Sequence, residues 1–322
     1  ANHAGRLGGG ISASDAYNSI IYFNPSDVDE PDWSLDIMDV TLEGCCTTPM
    51  PSSGAHNVDA APRLAGMRNY HLLESSPCRD GGLASWARNA RDMDREARTN
   101  AAVDIGCDEL WPESCTGALA ARVIADYTNV TVGYLVTIAA DIDGRPAHIQ
   151  WDISDGFTAS DETSFRHTFR APGVYTVTLS CSNLSAACTS AIPISVFPVI
   201  TNYVSPSGTH VAPFTTWPTA ATTLQAAVDS ALPGGRILVS NGVYAAGGRA
   251  VLAPATNRLA VEKPVLVESV DGAPVTIIQG NSGLLSRVRC VYLAEGAVLR
   301  GFTLRDGRAT GRDGVERWGL AV

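Results

Sequence analysis

Residues 148–181 read HIQWDISDGFTASDETSFRHTFRAPGVYTVTLSC, and this stretch decides the fold of the central part of the chain. Its runs HIQWDIS, SFRHTF and VYTVTLSC alternate apolar and polar residues, the pattern of strands that bury one face. Gly, Asp, Ser and Pro residues between the runs supply the turns. Similar runs on either side, RVIADYT, YLVTIAA and AIPISVF, extend the pattern over residues 120–197. The sequence therefore predicts a β-sandwich here.

A six-residue turn gives this sandwich a more specific character. It reads WDISDG at residues 151–156 and is followed by HTFRAPGVYTVTL at residues 167–179. The two segments resemble the PKD-type immunoglobulin-like module, which has Trp-x-x-Gly-Asp-Gly and a Tyr-x-Val-x-Leu strand entered through Pro-Gly. Ser154 replaces the first motif glycine, so we expect the turn geometry to differ there. Asp152 and Asp155 are expected to accept hydrogen bonds from backbone amides of their own turn.

The N-terminal third contains β-prone runs that are too short to fold alone. YNSIIYFN, SLDIMDVTLEG and NYHLL are separated by Gly, Pro, Asn and Ser, as in a solenoid whose coils bury residues against each other. The segments LESSPCRDGG, DMDREART and AVDIGCDE then follow over residues 70–109. They resemble the closing stretch of bacterial secreted right-handed parallel β-helix (pectin-lyase-like) proteins. Cys107 departs from that pattern, which usually has a small residue.

The C-terminal third begins with one amphipathic helical patch, TAATTLQAAVDSAL. Leu224, Ala227, Val228 and Ala231 fall on one face at i, i+3, i+4 and i+7. Strand-like runs follow: GGRILVSNGVY, KPVLVESV, VTIIQG and RCVYLAEGAVLRGFTLRDG. The arrangement resembles the N-terminal entry of the same β-helix class, in which a cap helix covers the edge of the first coil.

Together these patterns predict an all-β fold in which parallel β-helix segments flank an immunoglobulin-like β-sandwich. The expected domains are the C-terminal coils and closing segment of one β-helix (1–112), a PKD-like sandwich (113–197), and the cap and first coils of a second β-helix (198–322). We expect hinges near residues 113–120 and 197–203, where Pro and Gly interrupt the patterns.

Composition limits the environment and the partners of the chain. The net charge is -10 and the pI is near 5.0, so no basic face is available for nucleic acid. No apolar run approaches the ~18 residues of a membrane span. Eight cysteines without a CxxC pair or a Cys/His zinc spacing indicate disulfides. We therefore expect an extracellular or cell-surface bacterial protein, cut from something longer because no signal segment opens it.

The sequence suggests disulfide partners for some of the cysteines and not for others. Cys181 and Cys188 end and begin adjacent strands across SNLSAA, so their Cα atoms can reach the ~5.5 Å that a disulfide needs. Cys78 has two candidate partners, Cys45 and Cys46. The sequence leaves three further cysteines unassigned: Cys107, Cys115 and Cys290.

Two acidic clusters are candidate Ca²⁺ ligands, and Ca²⁺ is the only cofactor that the sequence brings into consideration. Asp141 and Asp143 lie in ADIDGRP, although the glutamate at loop position 12 of an EF-hand is missing. Asp92 and Asp94 form the second cluster together with Glu96. The competing interpretation is that these carboxylates belong to solvated turns and pair with neighbouring arginines.

Signals of catalysis are absent from the sequence. It contains no GxSxG elbow, HExxH motif or P-loop, and its histidines show no ligand spacing. Arg305 and Asp306 are the one charged pair on a convincing coil, whereas glycoside hydrolysis needs two carboxylates ~5–9.5 Å apart. We therefore expect no catalytic residue and no enzyme activity from this chain alone.

Two functions remain open. One is a non-catalytic extracellular or cell-surface scaffold or adhesion protein that binds a polysaccharide, a surface glycan or another protein. The other is part of a polysaccharide lyase or glycoside hydrolase whose active coils lie outside this chain. Trp217 and Trp318 are candidate aromatic contacts for a glycan, although we expect Trp217 to be buried beside the cap helix.

Overall fold

The computed structural model describes residues 11–12, 14–22, 33–34, 41–87, 89, 91–98, 102–252, 255–283 and 287–308. This part of the chain is mostly β-structure with one α-helix, so it is all-β as predicted. Residue contacts divide the chain into two compact units. The first comprises residues 1–126, 137–166 and 175–193, and the second comprises residues 127–136, 167–174 and 194–322.

The first unit opens with short strands. They are β1 (Ile11–Ser12), β2 (Ala16–Tyr17), β3 (Ile20–Ile21), β4 (Trp33–Ser34), β5 (Leu42–Glu43), β6 (Cys46–Thr47), β7 (Leu64–Gly66) and β8 (Asn69–Leu72). β1 pairs with β4, β2 with β5, and β3 with β6, all in parallel. β7 and β8 form an antiparallel hairpin. The pairs β1–β4, β2–β5 and β3–β6 therefore join strands that are distant in sequence, whereas the hairpin is local.

A buried core holds these short strands together. It contains Cys46, Leu72, Cys78 and Ile105, and all four are at most 1% exposed. Two 3-10 turns follow the hairpin, at Ala84–Trp86 and Pro112–Ser114. Strands this short contribute little alone, so their stability depends on burial of this shared core.

Residues 120–197 form the predicted sandwich strands. They are β9 (Ala120–Ala125), β10 (Asn129–Thr131), β11 (Leu135–Asp143), β12 (His148–Ile153), β13 (Thr158–Ser160), β14 (Ser164–Thr168), β15 (Gly173–Ser182) and β16 (Ala187–Phe197). One sheet has the order β10-β16-β15-β12-β13 and the other β14-β11-β9. The sequence predicted every strand except β10 and β13, which have three residues each and are too short for a clear alternation.

Strand β12 shows why the alternation predicts this fold. Ile149, Trp151 and Ile153 are at most 2% exposed, whereas the residues between them point to solvent. The Trp151 indole Nε1 donates a hydrogen bond of 2.8 Å to the backbone oxygen of Glu162. Trp151, the largest buried side chain of this strand, is thus packed in the core and has its indole N–H hydrogen-bonded.

A disulfide closes the connection between β15 and β16. It joins Cys181 to Cys188 with a Cα–Cα distance of 5.2 Å, the pair that the strand ends predicted. The two cysteines are separated by 7 positions, so the bond constrains a short hairpin.

The second unit contains the strands that follow residue 200. They are β17 (Thr201–Val204), β18 (Arg236–Val239), β19 (Gly242–Tyr244), β20 (Arg249–Leu252), β21 (Ala255–Val261), β22 (Leu266–Ser269), β23 (Thr276–Gln279), β24 (Asn281–Ser282), β25 (Arg287–Leu293), β26 (Val298–Arg300) and β27 (Thr303–Arg305). Parallel pairing links β17, β18, β22 and β26 in one ladder and β19, β23 and β27 in a second. β21 and β25 pair in parallel in a third.

Helix α1 (Leu224–Ser230) covers the core of this unit. Leu224, Ala227, Val228 and Ala231 are all buried in one cluster with strand residues, which confirms the predicted apolar face. The helix is shorter than the helical patch in the sequence because Ala221 instead forms a parallel bridge with Val204. The structure corrects the expectation for Trp217, which is 39% exposed and packs edge-on against Tyr203.

Candidate functional site

Charged side chains from four separate segments of the first unit meet in one place. β8 supplies His71, the turn at residues 91–98 supplies Asp94 and Glu96, the loop after Ile105 supplies Asp108, and Arg145 follows β11. We call these five residues the His71 cluster. An open depression of about 750 Å³ gives solvent access to its His71 and Asp94 side chains.

The orientation of His71 is set by its neighbours. Its Nδ1 lies 2.5 Å from Asn69 Oδ1, and its Nε2 lies 2.8 Å from Asp94 Oδ2. The Asn69 amide is itself fixed, because its Nδ2 donates to the backbone oxygens of Ile142 and Gly144 at 2.9 and 2.7 Å. Asn69 Oδ1 is therefore an acceptor, and His71 Nδ1 carries the donated hydrogen.

Arg145 neutralises one carboxylate of the cluster in particular. Its guanidinium donates two hydrogen bonds to Glu96, at 2.9 and 2.8 Å, in bidentate geometry. This contact lowers the pKa of Glu96 and raises the pKa of Arg145. Asp94 is more weakly held, since its Oδ2 is 3.7 Å from Arg145 Nε.

Asp108 is the deepest group of the cluster and is only 1% exposed. Its Oδ2 accepts the backbone N–H of Leu72 at 2.8 Å. Its Oδ1 is buried and has no hydrogen-bond partner among the described residues. Burial raises the pKa of Asp108 to about 6, although the hydrogen bond from the Leu72 amide acts to lower it.

Asp92, the other predicted Ca²⁺ ligand in this region, organises the turn. Its Oδ1 accepts the backbone N–H groups of Asp94 and Glu96 at 2.9 and 2.7 Å. Its Oδ2 accepts the N–H of Glu109 at 3.2 Å. The carboxylates of Asp92, Asp94 and Glu96 do lie within 4.8 Å of one another, so the structure brings this predicted cluster together.

The predicted pair Asp141 and Asp143 has a different setting. Both lie within strand β11, so the expected turn is formed only after them, at Gly144 with φ +98°. Asp141 Oδ2 accepts hydrogen bonds from Arg122 at 2.6 Å and Arg68 at 3.2 Å. These guanidinium groups, Arg122 first, lower the pKa of Asp141. The competing interpretation, a carboxylate paired with arginine, fits this geometry better than a Ca²⁺ ligand does.

The sandwich motif makes local hydrogen bonds, as its sequence suggested. Asp155 Oδ1 accepts the N–H of Phe157 at 3.1 Å. Ser154, in the place of a motif glycine, accepts the N–H of Thr176 on its Oγ at 3.0 Å and donates its own N–H to the Thr176 oxygen. The serine therefore ties the turn to strand β15.

Asp306 and Lys263 are both engaged structurally in the second unit. Asp306 forms an ion pair with Arg305, at 3.3 Å, and accepts a hydrogen bond from the Gln279 amide at 3.0 Å. Lys263, the only lysine in the chain, donates to the backbone oxygens of Asp229 and Ala231 at the end of helix α1. Such contacts satisfy helix-end carbonyl groups.

The two candidate partners of Cys78 are distinguished by their surroundings. The Cys45 thiol donates to the Ala16 and Glu43 backbone oxygens in a separate small core. Cys46 shares the core of Cys78, and a hydrogen bond between the two thiols lowers the pKa of Cys78. The structure contains no disulfide from Cys78 to either candidate, and Cys107, Cys115 and Cys290 are likewise outside any disulfide.

A match to a family model supports the sandwich assignment. Residues 120–196 match the family model described as the PKD domain. A solved structure, the PKD domain of the human VPS10 domain-containing receptor SorCS2, is 20% identical, with a TM-score of 0.23, over 32% of this chain and 94% of its own. No curated protein matches the chain. PKD domains are typical of extracellular proteins. The described residues include no helix with the length and apolarity to cross a bilayer.

Sequence reasoning missed the central residue of the His71 cluster. His71 lies in NYHLL, which reads as an ordinary strand, and its partner Asp94 is 23 residues away. The sequence offered one indirect indication of this site. Two acidic segments, DMDREART and AVDIGCDE, supply the carboxylates that lie beside the β7–β8 hairpin. Trp318, a candidate glycan contact, lies outside the described residues.

Proposed function

We propose that this chain is part of a non-catalytic extracellular or cell-surface scaffold or adhesion protein. The observation that carries the proposal is the uninterrupted parallel ladder of the second unit. Ile237 pairs with Val267, and Val267 pairs with Leu299. Partners are about 30 residues apart, a repeat length common in solenoid proteins.

The same geometry supports coils of a parallel β-helix. In such a fold each coil places one strand directly above its equivalent, ~4.8 Å away, so side chains stack in rows. One row is visible as ion pairs: Glu268 accepts from Arg236 at 2.6 Å and from Arg300 at 3.4 Å. The parallel pairs β1–β4, β2–β5 and β3–β6 of residues 11–47 fit the same architecture.

The proposed domain map follows from these features. Residues 1–112 are the last coils and the closing segment of one β-helix, 113–197 are a PKD-like spacer, and 198–322 are the cap and first coils of a second β-helix. Protease digestion tests this map, because cleavage is expected first near residues 113–120 and 197–203. First cuts within 130–180 would contradict it.

A scaffold of stacked rows suits the recognition of an extended polymer. Repeating side chains along a coil face match a repeating polysaccharide without any catalytic group. Binding by one chain is expected to be weak and to gain strength from repetition. The exposed face of Trp217 is available for stacking against a sugar ring.

The test is enzymatic, because the alternative function is a polysaccharide lyase or glycoside hydrolase. The chain is incubated with pectin, alginate and xylan, with and without Ca²⁺, and both reducing ends and unsaturated products are measured. We expect no turnover, since the Asp306 carboxylate is engaged by Arg305 and by the Gln279 amide.

A matched pair of variants makes the result decisive. Turnover that disappears in Asp306→Ala and persists in Glu295→Ala, an exposed acidic residue elsewhere on the unit, would establish the enzyme instead of the scaffold. Polysaccharide binding without turnover in the wild type and both variants supports the scaffold.

A further inference from the structure

Three possible ligand atoms converge in the His71 cluster. A ring nitrogen of His71 and one carboxylate oxygen each from Asp94 and Asp108 lie within 4.8 Å of one another. Metal–ligand bonds of ~2.1 Å in a tetrahedral site place neighbouring ligand atoms roughly 3.4 Å apart. His71 Nε2 and Asp94 Oδ2 are already 2.8 Å apart, so the three groups need only a small adjustment to surround an ion.

An independent observation indicates that a ligand is missing from this arrangement. Asp108 is 99% buried, and its Oδ1 has no hydrogen-bond partner among the residues that the structure describes. Buried carboxylate oxygens are normally satisfied, because removing such a group from water is costly. A cation held between Asp108, Asp94 and His71 would satisfy this oxygen.

The surroundings of His71 are also those of a metal ligand. Its Nδ1 donates to Asn69 Oδ1, and the Asn69 amide is held in place by two backbone oxygens. With Nδ1–H donated to Asn69, the Nε2 lone pair of the neutral imidazole would be directed at an ion held between His71 and Asp94. Hydrogen bonds of this kind, from the second ring nitrogen to an oxygen, orient metal-binding histidines in general.

The cluster contains negative charge that could bind a divalent cation. Arg145 directs two hydrogen bonds to Glu96, and only a 3.7 Å approach to Asp94. Asp92 is committed to backbone amides of the turn. Asp94 and Asp108 are therefore the two carboxylates whose charge is not balanced by a close guanidinium.

We propose that His71, Asp94 and Asp108 form a binding site for a borderline divalent transition metal, with Zn²⁺ as the probe. The imidazole separates this site from a Ca²⁺ site, which uses oxygen ligands only. The bound ion would fasten β8 to the turn at 91–98 and to the loop that carries Asp108. This inference does not depend on the scaffold function, and its failure would leave that proposal standing.

The experiment is a calorimetric titration of the metal-free full-length chain with Zn²⁺, repeated with Ca²⁺. We expect one site of defined affinity that Zn²⁺ fills in preference to Ca²⁺. His71→Gln and Asp108→Asn should each weaken Zn²⁺ binding at least tenfold. Asp141→Asn removes a carboxylate outside the cluster, and Cys107→Ser removes an exposed thiol that itself can bind zinc, so both should leave the affinity unchanged.

A spectroscopic measurement on the wild-type chain guards against a variant that does not fold. In chain labelled with ¹⁵N-histidine, Zn²⁺ should shift the Nε2 resonance of one histidine, and that resonance should be missing from His71→Gln. The proposal is overturned if Zn²⁺ fails to bind, if affinity is lost with Cys107 instead of His71, or if Ca²⁺ binds equally tightly without shifting a histidine nitrogen.

Discussion

The sandwich, which is antiparallel except for the pair β10–β16, and the parallel ladders pair their strands in different ways. In the sandwich, β12 lies between β13 and β15, and a disulfide closes the hairpin from β15 to β16. In the ladders, β18 lies between β17 and β22, each reached through about 30 residues of intervening chain. Local turns thus define the sandwich, whereas each ladder strand depends on the strands stacked against it.

The largest expected effect tests the sandwich core. Trp151→Ala removes a fully buried indole and leaves the Glu162 oxygen without its donor. We expect the free energy of unfolding to fall by about 3–5 kcal/mol, measured by urea denaturation followed by circular dichroism. Trp217→Ala is the control, since removal of its exposed ring should lower the free energy of unfolding much less. Equal losses from the two variants would contradict the described burial.

A second substitution tests the ladder in the same way. Ile237 is fully buried and pairs with Asn202 on one side and Val267 on the other. Ile237→Ala should lower the free energy of unfolding by about 2–5 kcal/mol, and Ile237→Val by about 0.5–1.5 kcal/mol. A loss near zero for both, in the same denaturation assay, would show that β18 is not held between two neighbours.

The sequence predicted the sandwich better than the His71 cluster, for physical reasons. Alternation in HIQWDIS reports burial within one strand, so β12 and its buried Trp151 are readable locally. The Cys181–Cys188 pair is readable because its strands are adjacent. His71, Asp94 and Asp108 come together only through tertiary packing, and no local pattern marks them.

The ladder region shows an intermediate case. Most strands after residue 234 and the apolar face of helix α1 follow from local patterns, whereas β20, β21 and β24 lie outside the predicted runs. The helix start does not, because residue 221 is taken by a bridge to Val204 that only the folded chain provides. Asp141 shows the same limit: its sequence suggests a turn, but pairing between β11 and β9 extends the strand through it.

The disulfide should stabilise the sandwich and leave the ladders unaffected. Replacing Cys181 and Cys188 with alanine opens a loop whose ends are 7 positions apart. Chain-entropy arguments give a loss of about 2.5 kcal/mol in the free energy of unfolding. Hydrogen exchange should then accelerate in β15 and β16, while the amides of β18 and β22 keep their protection. Faster exchange in all four strands would show that the regions are not independent.

The smallest effect concerns the charged row on the ladder. Hydrogen bonding by Arg236 lowers the pKa of Glu268, so its contribution to stability is present above the unfolded pKa of ~4.3 and is lost as the pH falls through the lower folded pKa. The denaturation midpoint of wild type should exceed that of Glu268→Gln slightly at neutral pH, and the gap should close in acid. The control Glu295→Gln should show no such trend, and a gap that widens in acid would refute the ion pair.

The central claim is that strands β17, β18, β22 and β26 stack in parallel, and nuclear Overhauser effects between backbone protons test it most directly. The account predicts cross-strand contacts that connect Ile237 with Val267 and Val267 with Leu299. The next residue on each strand should show the same pattern, with contacts between Leu238 and Glu268 and between Glu268 and Arg300. Contacts that advance on one strand while they retreat on the next would mean antiparallel pairing and would contradict the account.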